Sequence, residues 1–334
     1  MLRLPANEHP EAVTEHVAGA MRATISSTNR YPSAAGQLRS RVAELHGVPL
    51  DRVLVGAGSA ELIALAWRAF TGGGRAVLYH VPAFELYPLL SKQCATPAVE
   101  LPVASAGPVT AAHVDSSVGL VALSNPQNPS GAFVSRRCVA DLARAVPATT
   151  VVLNDEAYHD YAEPLTDDLS LVELSALPNV VTTRTFSKIH GLAGLRVGYA
   201  VAPATLTARL QALQTPFTVS QPAAVAALAA LTDTRTAECR RATNTANRER
   251  LRAILAARDF RVKPSQANFL FAEPPDPAVP WRAELLARGI RVHQVGEALR
   301  VSVGSAPEVD GVAHALDAIC PPHTRRPYEP GHAR

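Results

Sequence analysis

Short, almost wholly apolar runs alternate with stretches whose apolar residues recur at helical spacing through much of the chain. Arg52-Val53-Leu54-Val55-Gly56 reads as a strand, and residues 59–70 as a helix with one apolar face. Further strands are predicted at 76–79, 118–123, 151–153, 180–183 and 196–201. Strands separated by helical patterns imply an α/β fold, a mostly parallel central sheet with crossover helices. Past Pro203 the pattern changes: residues 206–213 and 223–231 read as helices, and 234–258 as a long, charged helix able to bridge two domains. Beyond it, short strands at 268–271, 290–293 and 299–303 and helices at 281–288 and 309–319 predict a smaller α+β domain. The expected partition is a large domain over residues 25–233, a small domain from 1–24 with 234–325, and a frayed tail at 326–334.

Composition narrows the class. With 334 residues, 47% of them hydrophobic and 18% charged, the chain can bury two substantial cores. A net charge of +3 without any Lys/Arg stripe argues against a nucleic-acid partner. The opening residues 1–10 contain no apolar signal-peptide core, and no window reaches membrane-spanning length without polar interruption. Cys94, Cys138, Cys239 and Cys320 are scattered without a CxxC pair, so reduced thiols are expected, with no metal site. These features predict a cytoplasmic protein.

The candidate chemistry begins with lysine usage. Only three lysines occur, against 29 arginines. One of them, Lys188, lies in Thr185-Phe186-Ser187-Lys188-Ile189-His190-Gly191-Leu192-Ala193-Gly194-Leu195-Arg196. An amine behind hydroxyls, then glycines, then a guanidinium suits pyridoxal phosphate: the amine meets the cofactor aldehyde while hydroxyls and guanidinium hold the phosphate. Lys92 and Lys263 lie in an amphipathic helix and a polar turn and read as solvated. Ser124-Asn125-Pro126-Gln127-Asn128-Pro129-Ser130-Gly131 follows a predicted strand, at the end where open α/β sheets bind ligands. Asn154-Asp155-Glu156-Ala157-Tyr158 follows another; its acid could bind a metal, cap a helix or pair with a pyridinium nitrogen. Gly56-Ala57-Gly58-Ser59-Ala60-Glu61 joins strand to helix, and a helix N-terminus offers free N–H donors to an anion.

Together, and in this order with Asn29-Arg30-Tyr31-Pro32 and Pro82-Ala83-Phe84, these segments resemble the fold-type I pyridoxal phosphate aminotransferases, within them the histidinol-phosphate aminotransferase-like group. The resemblance runs from Leu4 to Gly304. It implies that Lys188 forms the imine with pyridoxal 5'-phosphate and then carries the proton between the substrate α-carbon and the cofactor, while Asp155 pairs with the pyridinium nitrogen. It implies that Tyr158 and Asn128 bond the phenolic oxygen, that Phe84 stacks on the ring, and that the Ser59-Ala60 backbone, Thr185, Ser187 and Arg196 hold the phosphate. Arg300 would clamp the substrate carboxylate, with Asn128 nearby. Tyr31 would reach in from a neighbouring subunit, making the enzyme a homodimer acting on an amino acid and a 2-oxo acid.

Three departures bear on the substrate. Where phosphate-substrate members of the group carry a second arginine, this chain has His293, with Arg291 two residues earlier on the same strand face, where it could substitute with a different reach. A mostly neutral histidine is a poor permanent phosphate ligand, which points to a substrate other than a phosphate ester. Ala60 replaces a polar residue after the helix-start serine, which leaves backbone donors intact, and the usual N-terminal arm is missing, which suggests a more open pocket. Decarboxylation or oxidation on the same scaffold is the alternative activity. A non-catalytic module is disfavoured by the intact Lys188, Asp155 and Arg300 set.

Overall fold

A computed structural model describes residues 1–103, 108–163 and 168–320; the tail expected to fray lies outside them. The strands are β1 (Leu2–Arg3), β2 (Val53–Gly56), β3 (Ala76–Val81), β4 (Ala98–Pro102), β5 (Val118–Ser124), β6 (Val151–Asp155), β7 (Val180–Thr185) and β8 (Gly198–Val201), followed by β9 (Arg261–Val262), β10 (Phe269–Glu273), β11 (Ile290–Arg291), β12 (His293–Val295) and β13 (Ala298–Ser302). Strands β2 to β8 form one seven-stranded sheet in the order β2-β8-β7-β6-β5-β3-β4. Every pairing from β7 to β4 is parallel, and β8 alone runs against both its neighbours. The mostly parallel α/β architecture expected from the sequence is the one observed.

The predicted helix 59–70 forms over Ser59–Phe70, with Leu62, Ile63, Leu65, Ala66 and Trp67 wholly buried against the sheet. Strands that are apolar throughout are covered on both faces: one core joins Leu54, Leu120 and Leu153 to this helix, and another packs Val121, Val152 and Val180 under the helix Arg136–Ala145. The edge strand β4, which the sequence reading passed over, alternates exposed and half-buried residues and offers no continuous apolar run.

The long charged stretch is one helix, Thr234–Ala256. Its first half lies against the large sheet's loops, where Arg240 Nη1 donates to Ile189 O at 2.9 Å. Its second half places Leu251 and Leu255 in a separate core with Leu270, Leu299 and Trp281, beneath the antiparallel sheet β12-β13-β10-β9. The N-terminus joins this core through Leu4, and β1 pairs with β11. The next helix, Glu15–Arg22, packs instead on Gln221–Thr232 beside the large sheet. The N-terminal residues thus cross the cleft between the two sheets, and that crossing runs over the candidate site.

Candidate active site

The site forms where β5, β6 and β7 end side by side. Ser124 and Asp155 are register partners at adjacent strand tips, and Thr185 closes β7. A cavity of about 370 Å³ opens at these tips, and the residues selected from the sequence line it, Tyr31 and Arg291 excepted. Sheet topology explains the convergence: parallel strands end together, so motifs far apart in sequence finish at one edge.

Asp155 sits at the bottom, 2% exposed. Thr183 Oγ1 donates to its Oδ1 at 3.0 Å. Burial pushes its pKa up to about 7, against the Thr183 and Ala157 hydrogen bonds and the Lys188 charge, which favour the anion. Glu156, the next residue, turns to the opposite side, as alternation along a strand requires. There it accepts both Arg136 Nε at 2.7 Å and Nη2 at 2.8 Å, and Arg184 Nε at 2.9 Å. Arg184 and Arg136 hold its carboxyl well below the usual range despite complete burial. One acid is therefore consumed by a buried ion network and its neighbour faces the cavity with no arginine bonded to it.

Lys188 is held by its neighbours in sequence. Phe186 and Ile189 are buried anchors on either side, and the turn closes through Gly191 N to Lys188 O at 2.9 Å. The amine projects into the cavity and donates to Asn7 O at 3.0 Å and Ala6 O at 3.2 Å, lying 5.3 Å from the centre of the Tyr158 ring. Asn7 Nδ2 also donates to Tyr158 Oη at 3.1 Å. Asn7 lies within the Leu4 to Gly304 span of the resemblance, yet the sequence assigns it no role. Its backbone is left-handed (φ 53°) and its side chain is fixed to Ser302, 295 residues away, which no local pattern signals.

The turn after β5 is stapled by Asn125, whose side chain accepts from Val134 N at 3.0 Å and donates to Val134 O at 2.9 Å. Ser124 Oγ accepts from Asn128 N at 3.2 Å. So fixed, Asn128 reaches Tyr158 Oη at 3.5 Å with its Nδ2 and accepts from Arg300 Nη1 at 2.6 Å. Arg300 Nη2 donates to Pro5 O at 2.6 Å, while its buried Nε has no hydrogen-bond partner among the described residues. Phe84 lines the same cavity and meets Tyr87 edge-on.

At the other end, Gly58 (φ 78°) precedes the helix Ser59–Phe70, whose first N–H groups face the cavity beside Ser187, Thr185 and Arg196. Thr185 Oγ1 donates to Ser187 Oγ at 2.9 Å, and Arg196 Nη1 to Ser187 Oγ at 3.4 Å. The packing here is tight: a Cβ on Gly58 would lie 2.7 Å from Arg196 Nη2, and one on Gly198 would lie 2.7 Å from Ser59 N. Ala60 also lines this end.

Two expectations need correction or restatement. The strand predicted at 290–293 is split: β11 pairs with β1, while β12 pairs with β13. Arg291 is therefore an exposed residue of β11 and does not line the cavity, so it cannot stand in for a second anion-binding arginine there. His293 does line it, directly opposite Arg300 in register. Tyr31 lies outside the cavity of its own chain, 80% exposed and stacked on Phe217 at 4.6 Å. Of the rival lysines, Lys263 pairs with Glu273 at 3.7 Å, and Lys92 lies in the helix Leu86–Gln93; neither lines the site. Among the described residues, no helix is long and apolar enough to cross a membrane.

Comparison with known proteins agrees with this geometry. The family model for aminotransferases of class I and II matches residues 1–319. Histidinol-phosphate aminotransferase 2 of Ralstonia nicotianae is 34% identical over 95% of this chain and 88% of its own length. The aromatic amino acid aminotransferase of Corynebacterium jeikeium is 35% identical over 96% and 89%. The structure of histidinol-phosphate aminotransferase from Sinorhizobium meliloti in complex with pyridoxal 5'-phosphate superposes with a TM-score of 0.85 at 25% identity, covering 95% of this chain and 90% of that one. A lysine, a buried aspartate and an arginine gathered at the strand tips, within a match spanning almost all the described residues, establish that the chain belongs to the class I and II aminotransferase family.

Proposed function

We propose that this aminotransferase uses pyridoxal 5'-phosphate to exchange an amino group between an α-amino acid and a 2-oxo acid, and that its amino substrate is not a phosphate ester. The observation that carries the reading is the convergence of Lys188, Asp155 and Arg300 on one cavity. The residues fit the cofactor on three counts. Asp155 is a buried carboxylate whose pKa is pushed up to about 7, so a protonated ring nitrogen would supply the cation that its anionic form needs. The first turn of Ser59–Phe70 and Arg196 offer N–H donors to a phosphate, beside glycines that leave no room for a Cβ. Tyr158 Oη and Asn128 Nδ2 lie 3.5 Å apart in the cavity lining and could both donate to a phenolic oxygen.

When bound, the cofactor supplies an electron sink that makes the substrate α-proton labile. The chain's own residues do the rest. Lys188 Nζ, directed into the cavity between Ala6, Asn7 and Tyr158, is the base that takes the α-proton and returns it to the neighbouring carbon. Arg300 binds the α-carboxylate: its Nε is unpaired, and its link to Asn128 can be shared with a ligand. Asp155 would hold a proton on the ring nitrogen, and Phe84 would offer its ring as a packing surface for the cofactor.

The substrate reading rests on position 293. A half-buried histidine beside Arg300 gives no permanent positive charge for a phosphate group, and burial together with the Arg300 charge lowers its pKa further. The relative acting on aromatic amino acids is consistent with a substrate free of phosphate. Tyr31 stacked on Phe217 (80% and 63% exposed) supports a homodimer in which this aromatic pair meets the partner's site. We also read residues 25–233 as the cofactor-bearing unit and 234–325 with the first N-terminal residues as the smaller one; the core shared by Leu4, Leu251 and Leu299 supports this, whereas helix Glu15–Arg22, which the sequence reading placed in the smaller unit, packs on the large one.

The test is the visible spectrum of the holoenzyme, titrated with L-amino acids and with histidinol phosphate. The expected outcome is loss of the aldehyde-form band with a phosphate-free amino acid, release of the matching 2-oxo acid, and recovery of the band on adding an oxo acid. Borohydride reduction should leave cofactor mass on the peptide bearing Lys188, and none after Lys188→Ala. A wide preference for histidinol phosphate would overturn the substrate reading. Release of carbon dioxide or uptake of oxygen in place of amino exchange would overturn transamination.

A further inference from the structure

The end of the cavity beyond Arg300 holds a contact that neither sequence motifs nor the cofactor accounts for. His293 Nε2 lies 2.6 Å from Glu85 Oε1, and both residues line the cavity. His293 stands on β12 opposite Arg300 on β13, so the two side chains share one face of the small sheet at roughly 5 Å between Cβ atoms. Glu85 approaches from the other side of the cleft, as the residue before the helix Leu86–Gln93 and next to Phe84.

The charges at this end are few. Desolvation and the Arg300 charge lower the His293 pKa, with Arg282 adding to them and Glu85 opposing them, so near neutral pH the ring is uncharged. A neutral ring donates one N–H to Glu85 and leaves the carboxylate its full negative charge. One Glu85 oxygen is taken by the ring; the side chain, 67% exposed, keeps acceptor capacity for a second donor. A substrate with its α-carboxylate on Arg300 and its α-carbon at Lys188 must send its side chain past His293 to meet Glu85. Anions are repelled there, and a cationic end group gains a charge-assisted hydrogen bond.

We propose that Glu85, oriented by His293, is the specificity determinant of the side-chain end of the pocket, and that it selects an amino acid whose side chain ends in a cationic nitrogen group. The inference rests on the proposed aminotransferase site and names its substrate class. Arg300 reads the carboxylate and Glu85 reads the opposite charge at the far end, so the pocket measures both charge and length.

The experiment uses the holoenzyme and α-methyl amino acids, which lack the α-proton and so report binding without amino exchange. Dissociation constants come from the shift of the cofactor band with α-methylornithine, α-methylnorleucine and α-methylglutamate. The expected order is ornithine analogue tightest and glutamate analogue weakest, with the cationic analogue bound about tenfold tighter than the neutral one, the scale of one half-exposed charge-assisted hydrogen bond. Glu85→Gln should erase that preference while leaving the norleucine analogue within about twofold, and far-ultraviolet circular dichroism shows whether the fold is kept. Equal binding of the cationic and neutral analogues, or a preference unchanged in Glu85→Gln, would overturn the proposal. Because these constants need no turnover, an enzyme with the expected order that fails to transaminate ornithine would sink the activity reading and leave this one standing.

Discussion

Replacing Asp155 by Asn should stabilise the apoprotein at alkaline pH while weakening its hold on the cofactor. The folded site pushes this carboxyl from 3.8 to about 7, so the native state binds the proton more tightly than the unfolded chain does. Stability contributed by this group therefore falls as pH rises from about 4, where the unfolded chain ionises, and levels off above about 7. Roughly three pKa units correspond to about 4 kcal/mol in full, and the part lost between pH 5 and pH 8 is about 3 kcal/mol. Asn has the same shape, can still accept from Thr183 through its carbonyl, and carries no titrating proton. Urea unfolding of cofactor-free wild type and Asp155→Asn at pH 5 and pH 8 measures the difference directly. The wild type should lose about 3 kcal/mol more than the variant between the two pH values. In the holoenzyme the order should reverse, since the carboxylate then has a ring nitrogen to pair with. If the two apoproteins show the same pH dependence, burial of Asp155 is not opposed by a desolvation cost, and the reasoning that links it to a cationic partner fails.

Other perturbations probe the rest of the site. Glu156→Gln leaves Arg136 buried without a carboxylate and Arg184 with Asp160 alone, and should lower unfolding stability by about 3 kcal/mol, read by denaturant titration at pH 7. Because Glu156 has its pKa depressed in the folded state, its contribution is present above about pH 4.5 and fades as acid protonates it, so the wild type and Glu156→Gln should converge at low pH. Arg300→Lys keeps the charge but loses the planar fork, and should raise KM for the amino substrate by about 10–100-fold, with a smaller effect on kcat; steady-state kinetics decide. Tyr31→Ala and Lys188→Ala should each be inactive alone, yet mixing the two after mild dissociation should restore up to about a quarter of wild-type activity if Tyr31 serves the partner's site; no recovery would count against the cross-subunit role.

Much of this protein was legible in its sequence for a simple reason. Buried parallel strands must be apolar throughout, helices must alternate with them, and loops at strand ends must carry the polar residues, so Ser124, Asp155 and Thr185 announced themselves by position. Helix Ser59–Phe70 and the long helix Thr234–Ala256 followed from periodicity and charge. The scarcity of lysine, with the hydroxyls, glycines and arginine that flank it in sequence, pointed to Lys188. Tertiary structure alone decided the rest. Adjacent acids in Asp155-Glu156 look alike in a string, but strand alternation sends one to the cavity and the other to two arginines brought from residues 136 and 184. Arg291 and His293 seemed to share a strand face until β11 and β12 chose different partners. Asn7 under Lys188 and Glu85 against His293 join segments hundreds of residues apart, and Tyr31 faces away from its own cavity. Periodicity encodes which face of an element is buried; which residues from remote elements meet across that face depends on how the two sheets and the N-terminal crossing pack, and that is a property of the whole chain.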